Sequence, residues 1–219
     1  MDPIEIHIEP SQKRGASFGA PRCLWEVQII SESHGTESFF VPKAVAKAVE
    51  TNLGKGTVLS RAEALEELAR IQAEEAWKKA VGCLERRDYS AKELIDRLMA
   101  TGFSRKAATE AASKAQDLRI LDDLRFADLF ISSKQLSGWG RLRIACELER
   151  RGISPDTIPG WPEGYFDEDQ EFERAWQLIA RKPIPEKNGY QKLVAFLVRK
   201  GYGLQVAKDC VAERLEGRR

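Results

Sequence analysis

The chain has 219 residues, 42% of them hydrophobic and 32% charged, and its 35 Lys and Arg against 34 Asp and Glu leave a net charge of +1. That length holds one or two domains with a sizeable core, and the composition is that of a globular chain shifted towards charge, as long exposed helices permit. Near-neutrality excludes a polycation built to coat nucleic acid, and no apolar run approaches the roughly 18 residues of a membrane span.

The charge is divided unevenly: residues 1–70 carry 8 Lys and Arg against 10 Asp and Glu, and residues 71–219 carry 27 against 24. Any nucleic-acid role therefore rests on local patches. Cys23, Cys83, Cys146 and Cys210 are scattered, with no CxxC pair and no histidine at ligand spacing. They read as reduced thiols, mostly facing the core, in a cytoplasmic protein.

The N-terminus alternates Ile4, Ile6 and Ile8 with Glu5, His7 and Glu9, the period of a strand and not the pattern of a secretion signal. A polar loop over 11–21 leads to a second strand at 24–30. SESHGTES (31–38) is a turn region, Phe39–Val41 a short third strand, and Pro42 stands near the start of a helix reaching about Thr51. These elements make a small antiparallel head over residues 1–59.

From Ser60 onward only helices are expected. Ser60 and Glu63 form a capping box that opens a helix over 61–87. Gly82 weakens that helix by about 1 kcal/mol relative to alanine, which close packing of a neighbouring helix would explain. Ser90 and Glu93 cap a shorter helix that buries Leu94, Ile95, Leu98 and Met99 and stops at Gly102, and Ser104 caps a third with an alanine face. A second set begins at Leu121-Asp122-Asp123, passes the loop Ser137-Gly138-Trp139-Gly140 and continues as a helix over 142–151. Its third helix, capped by Ser154-Pro155, is expected to be short or irregular because Pro159-Gly160-Trp161-Pro162 breaks it. A third set starts near Asp167, with the loop KPIPEKN (182–188) and helices at 190–200 and 204–215.

The three sets are echoes of one another. Leu94, Leu98, Gly102 and Phe103 return as Ile144, Leu148, Gly152 and Ile153, and again as Leu193, Leu197, Gly201 and Tyr202. A period near 50 residues implies tandem three-helix units and argues against the shorter tetratricopeptide and ankyrin repeats. The expected fold is mainly α: helix–turn–helix-like triplets at 60–121 (with the linking helix), 122–166 and 167–219, elongated and curved behind the β-containing head.

Chemistry-bearing constellations are scarce. Asp122-Asp123 has no third ligand and reads as a helix cap. His7 and His34 have no metal-ligating neighbours, so neither a zinc site nor any other metal or cofactor is expected. Gly54-Lys55-Gly56-Thr57 lacks phosphate-loop spacing, and no nucleophile is placed beside a base, so no enzymatic activity is expected. The candidates are cations recurring at helix ends: Arg86, Arg87, Lys92, Arg97, Arg141, Arg143, Arg150, Arg151, Arg199 and Lys200. They either offset helix dipoles or form a stripe that meets an acidic groove or phosphates. Trp139, in its glycine-flanked loop, is either a core plug or a contact anchor.

The segment ERRDYSAKELIDRLMATGF (85–103), Leu-Asp-Asp at 121–123 with Phe126-Ala127 behind it, and GWGRLRIACELERRGI (138–153) together resemble the RecX family of bacterial recombination regulators. The resemblance spans about 74–216. It departs from the family pattern at Trp161–Gly164 and at the Pro183/Pro185 loop. It implies a non-enzymatic cytoplasmic protein, a monomer, that binds the RecA filament on single-stranded DNA and restrains its ATPase and strand exchange, in DNA repair, recombination and SOS modulation. The alternative is a non-specific binder of single- or double-stranded DNA, with weak sequence preference, working through its helix–turn–helix units.

Overall fold

The computed structural model describes residues 4–11, 24–53 and 60–217. Cys23, the 54–57 glycine stretch, most of the 11–21 loop and Arg218-Arg219 lie outside them. The described chain forms two compact units, residues 1–122 and 123–219.

In the first unit, β1 (Ile4–Pro10), β2 (Leu24–Ser31) and β3 (Gly35–Pro42) form an antiparallel sheet in the order β1-β2-β3. β3 is longer than the three residues expected. Thr36, Glu37 and Ser38 are polar, but they continue the ladder opposite Ile30, Ile29 and Gln28. Backbone pairing at a sheet edge needs no apolar side chain to extend it. Helix α1 (Lys43–Leu53) follows directly, with Pro42 closing the strand. Val27, Ile29, Val41, Val45 and Val49 are buried in one core with Leu68, Leu94 and Leu98, so the sheet and the first three-helix set share a single interior.

Helix α2 (Arg61–Leu84) opens at the complete Ser60–Glu63 capping box. Arg61 also grips the Glu37 carboxylate on β3 through two bonds of 2.7 and 2.8 Å, and this bonding holds Glu37 below the usual carboxylate range. Helix α4 (Arg105–Asp117) buries Ala107, Ala108, Ala111, Ala112 and Ala115, while α2 buries Ala64, Ala76 and Ala80. Small residues on both helices let the backbones approach closely. Buried Gln72 on α2 accepts from the Ser104 N–H at 3.2 Å, satisfying a donor at the start of α4. Gly82 belongs to no close packing: a Cβ there would meet nothing within 4 Å, so the expectation of a neighbouring helix is corrected.

Ser90, fully buried, caps α3 (Ala91–Met99) by accepting from the Glu93 N–H at 3.1 Å. Ser90→Ala is expected to cost about 1–2 kcal/mol, the upper range for a lost N-cap, because the released N–H has little water to turn to. Chemical denaturation of the full chain measures it, and a loss under about 0.3 kcal/mol would mean the cap is replaced.

The second unit holds α5 (Asp123–Leu136), α6 (Arg141–Arg150), a 3₁₀ turn at Pro155–Thr157, α7 (Glu168–Ala180), α8 (Gly189–Lys200) and α9 (Leu204–Leu215). The short turn is the truncated third helix expected of the second set. Phe126, Ile131, Ile144 and Leu148 centre one core, and Ile179, Leu193, Leu197 and Tyr202 another.

The three echoes fold alike. Gly102, Gly152 and Gly201 take φ of 100°, 79° and 97°. Phe103, Ile153 and Tyr202 each donate back to the buried leucine five residues earlier, at 3.3, 3.0 and 3.2 Å. This is the Schellman ending, with its apolar contact between the residue after glycine and that leucine.

Candidate functional site

The cations at helix ends divide by what already occupies them. On α3 and the turn before it, Arg87 lies 3.6 Å over the Tyr89 ring and pairs with Glu93 at 3.1 Å, and Lys92 pairs with Asp96 at 2.7 Å. Arg86 and Arg97 are exposed and form no ion pair among the described residues. At the end of α6, Arg150 pairs with Glu147 at 2.9 Å, and Arg151 binds the same carboxylate and the Glu147 carbonyl. The Arg151 bond, then the Arg150 charge, hold the Glu147 carboxyl below its ordinary range. Arg150 and Arg151 are therefore already partnered within their own helix.

The remaining candidates meet at one place in the second unit. Gly140 stands before α6 with no side chain to cap it. The end of α8 takes that role: Gly140 N–H donates to the Lys200 carbonyl at 2.9 Å, and Leu142 N–H to the Gly201 carbonyl at 3.0 Å. Unpaired amides of one helix start meet unpaired carbonyls of another helix end, so both sets are satisfied and the dipoles align head to tail. The third amide, that of Arg141, donates to the Glu171 carboxylate at 3.3 Å, which adds a negative charge at the helix N-terminus. Glycine is required on both sides. A Cβ on Gly140 would stand 2.4 Å from the Gly201 carbonyl carbon, and one on Gly201 would stand 2.3 Å from the Arg143 Cβ.

This close approach brings Trp139, Arg141, Arg143 and Lys200 together, with Arg199 beside them in the chain. Trp139 is half-buried. Its ring sits edge-on to Phe130 (6.5 Å, 83°), and the Arg143 guanidinium covers it at 3.8 Å. Lys134 Nζ lies 5.1 Å from the Trp139 ring and 5.3 Å from Phe130, and Arg151 lies 4.6 Å from Phe130. Cations over aromatic faces in this geometry keep their charge while their stems cover apolar surface. Arg141, Arg143, Arg199 and Lys200 form no ion pair among the described residues.

Phe130, Lys134 and Glu171 were absent from the sequence-level candidates. Aromatic and basic residues at helical spacing around Gly138-Trp139-Gly140 were the available signal for the first two; nothing local marks Glu171. Among the described residues no cluster of His, Cys, Asp and Glu is placed to hold a metal, and no helix is long and apolar enough to cross a membrane. Cys83, Cys146 and Cys210 carry no disulfide; Cys83 and Cys210 are buried and Cys146 is exposed on α6.

Comparison with known proteins points to one family from several sides. Residues 122–158 match the family model described as RecX, second three-helix domain. The regulatory protein RecX of Caldanaerobacter subterraneus subsp. tengcongensis is 33% identical over 135 residues, covering 62% of this chain and 68% of that protein. That of Legionella pneumophila (strain Corby) is 33% identical over 140 residues, covering 63% of this chain and 93% of that protein. Among solved structures, RecX from Lactobacillus salivarius superposes with a TM-score of 0.55 at 18% identity over 66% of this chain and 97% of that one. A second, described as regulatory protein RecX, gives 0.56 at 15% identity over 94% and 97%.

Proposed function

This chain belongs to the RecX family, and from that premise we propose that it is a cytoplasmic, non-enzymatic regulator that binds the RecA filament on single-stranded DNA and slows its ATP hydrolysis and strand exchange. The supporting observation is the set of helix-end cations without ion pairs among the described residues: Arg86 and Arg97 in the first unit, Arg141, Arg143, Arg199 and Lys200 in the second. Cations left unpaired on a near-neutral protein complement an acidic surface and speed its encounter. The head over 1–59 and the three-helix sets over 60–121, 122–166 and 167–219 act as successive contact modules, so binding is the sum of modest contacts.

Base-specific DNA recognition has less behind it. Helix α4 buries its alanine face, and Lys114 is drawn over Trp77 of α2 at 4.5 Å, leaving little to read base edges.

The test is RecA ATPase on single-stranded DNA. The wild-type chain is expected to slow turnover at substoichiometric amounts. Arg199→Gln/Lys200→Gln and Arg86→Gln/Arg87→Gln are each expected to raise the amount needed several-fold. Arg150→Gln/Arg151→Gln should change it least, because Glu147 already holds both side chains. No inhibition by the wild-type chain at any ratio removes the reading.

A further inference from the structure

We propose that the junction of α6 with α8 is a docking point for a protein segment whose apolar residues are flanked by carboxylates. It deepens the reading above, by placing the partner's contact on one surface and naming the chemistry that surface takes.

Three aliphatic side chains stand exposed around Gly201. Leu142 is 51% exposed, Val198 43% and Leu204 56%. Leu142 is hydrogen-bonded through its backbone to the Gly201 carbonyl, and Gly201 itself donates to the Val198 carbonyl at 2.9 Å. Leu204 begins α9 three residues after Gly201. Scattered single aliphatics need no explanation, but the backbone gathers these three within a helical turn of one glycine.

The charges around these side chains share one sign. Arg141 and Arg143 flank Leu142 in the chain, and Arg199 and Lys200 follow Val198. The one carboxylate bonded at the junction, Glu171, is 6% exposed and turned inward onto the Arg141 N–H. An apolar centre with a cationic rim is the composition of a protein contact, and its complement is an apolar centre with a carboxylate rim.

Nucleic acid fits the same surface poorly. A phosphate backbone offers nothing to Leu142, Val198 and Leu204. Base stacking needs an open aromatic face, and Arg143 lies over that of Trp139 at 3.8 Å. A guanidinium resting on a ring still has its N–H groups to offer, and these match a carboxylate in two-point bonding. The surface is rigid because the two helix ends are joined by backbone hydrogen bonds, and a rigid surface loses less entropy on binding.

The experiment measures binding of the full chain to RecA filaments assembled on single-stranded DNA with a non-hydrolysable nucleotide, and separately to the same DNA alone. Leu142→Ser/Leu204→Ser is expected to weaken filament binding at least tenfold while leaving DNA binding and the circular-dichroism melt as in wild type. Val198→Ser, a single exposed change, carries the same test if the double variant melts early. Arg143→Gln is expected to weaken filament binding several-fold and to flatten its salt dependence. Wild-type filament affinity in the serine variants overturns the proposal and leaves the regulatory reading standing. Loss of bare-DNA binding in Arg143→Gln, with the serine variants unchanged, makes the surface a nucleic-acid site instead. A wild-type chain that does not bind the filament removes both.

Discussion

Gly201→Ala is expected to destabilise the second unit by about 3 kcal/mol, and Gly140→Ala by a comparable amount. Two costs meet at Gly201. Its φ of 97° is left-handed, where a Cβ costs roughly 1–2 kcal/mol. The added Cβ would also stand 2.3 Å from the Arg143 Cβ and 2.5 Å from its backbone nitrogen. Such neighbours cannot rotate away, so α6 must move off α8, an overpacking cost of about 1–3 kcal/mol. Gly140 lacks the left-handed term but meets backbone throughout: the Gly201 carbonyl at 2.4 and 2.5 Å and the Tyr202 nitrogen at 2.5 Å.

Gly35 supplies the control. Its φ is 72°, yet a Cβ there would meet nothing within 4 Å, so Gly35→Ala carries the conformational cost alone. Urea unfolding followed by tryptophan fluorescence reads the two units separately when Trp25 and Trp77, or Trp139, Trp161 and Trp176, are replaced by phenylalanine in the background. Equal losses at Gly35 and Gly201 would show that the junction yields and that the close approach contributes nothing.

Above pH 10 the second unit is expected to lose about 3 kcal/mol of stability, and Tyr202→Phe to abolish most of that loss. Tyr202 is 0% exposed, and its hydroxyl makes no well-formed hydrogen bond among the described residues, although the Arg174 guanidinium faces it closely enough to favour the phenolate. Burial pushes its pKa from 10 to about 12; the Arg174 charge opposes this and Glu171 and Cys210 add to it. The folded state thus favours the protonated phenol. Its contribution is fully present below the unfolded value near 10 and disappears as pH rises towards 12, about 1.4 kcal/mol for each unit of difference. Tyr165 is also raised to about 12, first by the bond it donates to Asp128, but it is half-exposed and should add less. At pH 7 Tyr202→Phe should be close to neutral, within about 1 kcal/mol, because the buried hydroxyl it removes is not held in a well-formed hydrogen bond by the facing Arg174. A loss above about 2 kcal/mol at pH 7 would sink this account, since it would mean that the hydroxyl is bonded.

Much of this could be read from the sequence because the governing interactions are local. Ser60, Ser90, Ser104 and Asp167 accept from an amide three residues ahead. The Schellman endings at Gly102, Gly152 and Gly201 close within six residues. Ile4, Ile6 and Ile8 announced β1 by their period. The start of β3 at Gly35 was not legible, because Thr36 to Ser38 are strand only by virtue of β2 beside them. Gly82 misled for the opposite reason: a helical glycine invites a packing explanation, and here the space beside it is open.

The sequence by itself determined the helical triplets, their 50-residue period, the small antiparallel head and the family, since these depend on spacing along one chain. Which cations are already paired is a local matter too: Glu147 stands three residues before Arg150 on α6 and binds it, while Arg199 has no ion pair among the described residues. Only the tertiary structure decided the junction. Gly140, Glu171 and Gly201 lie far apart in sequence, and they meet because a helix start without a capping side chain must find its acceptors elsewhere, here on another helix end and a distant carboxylate.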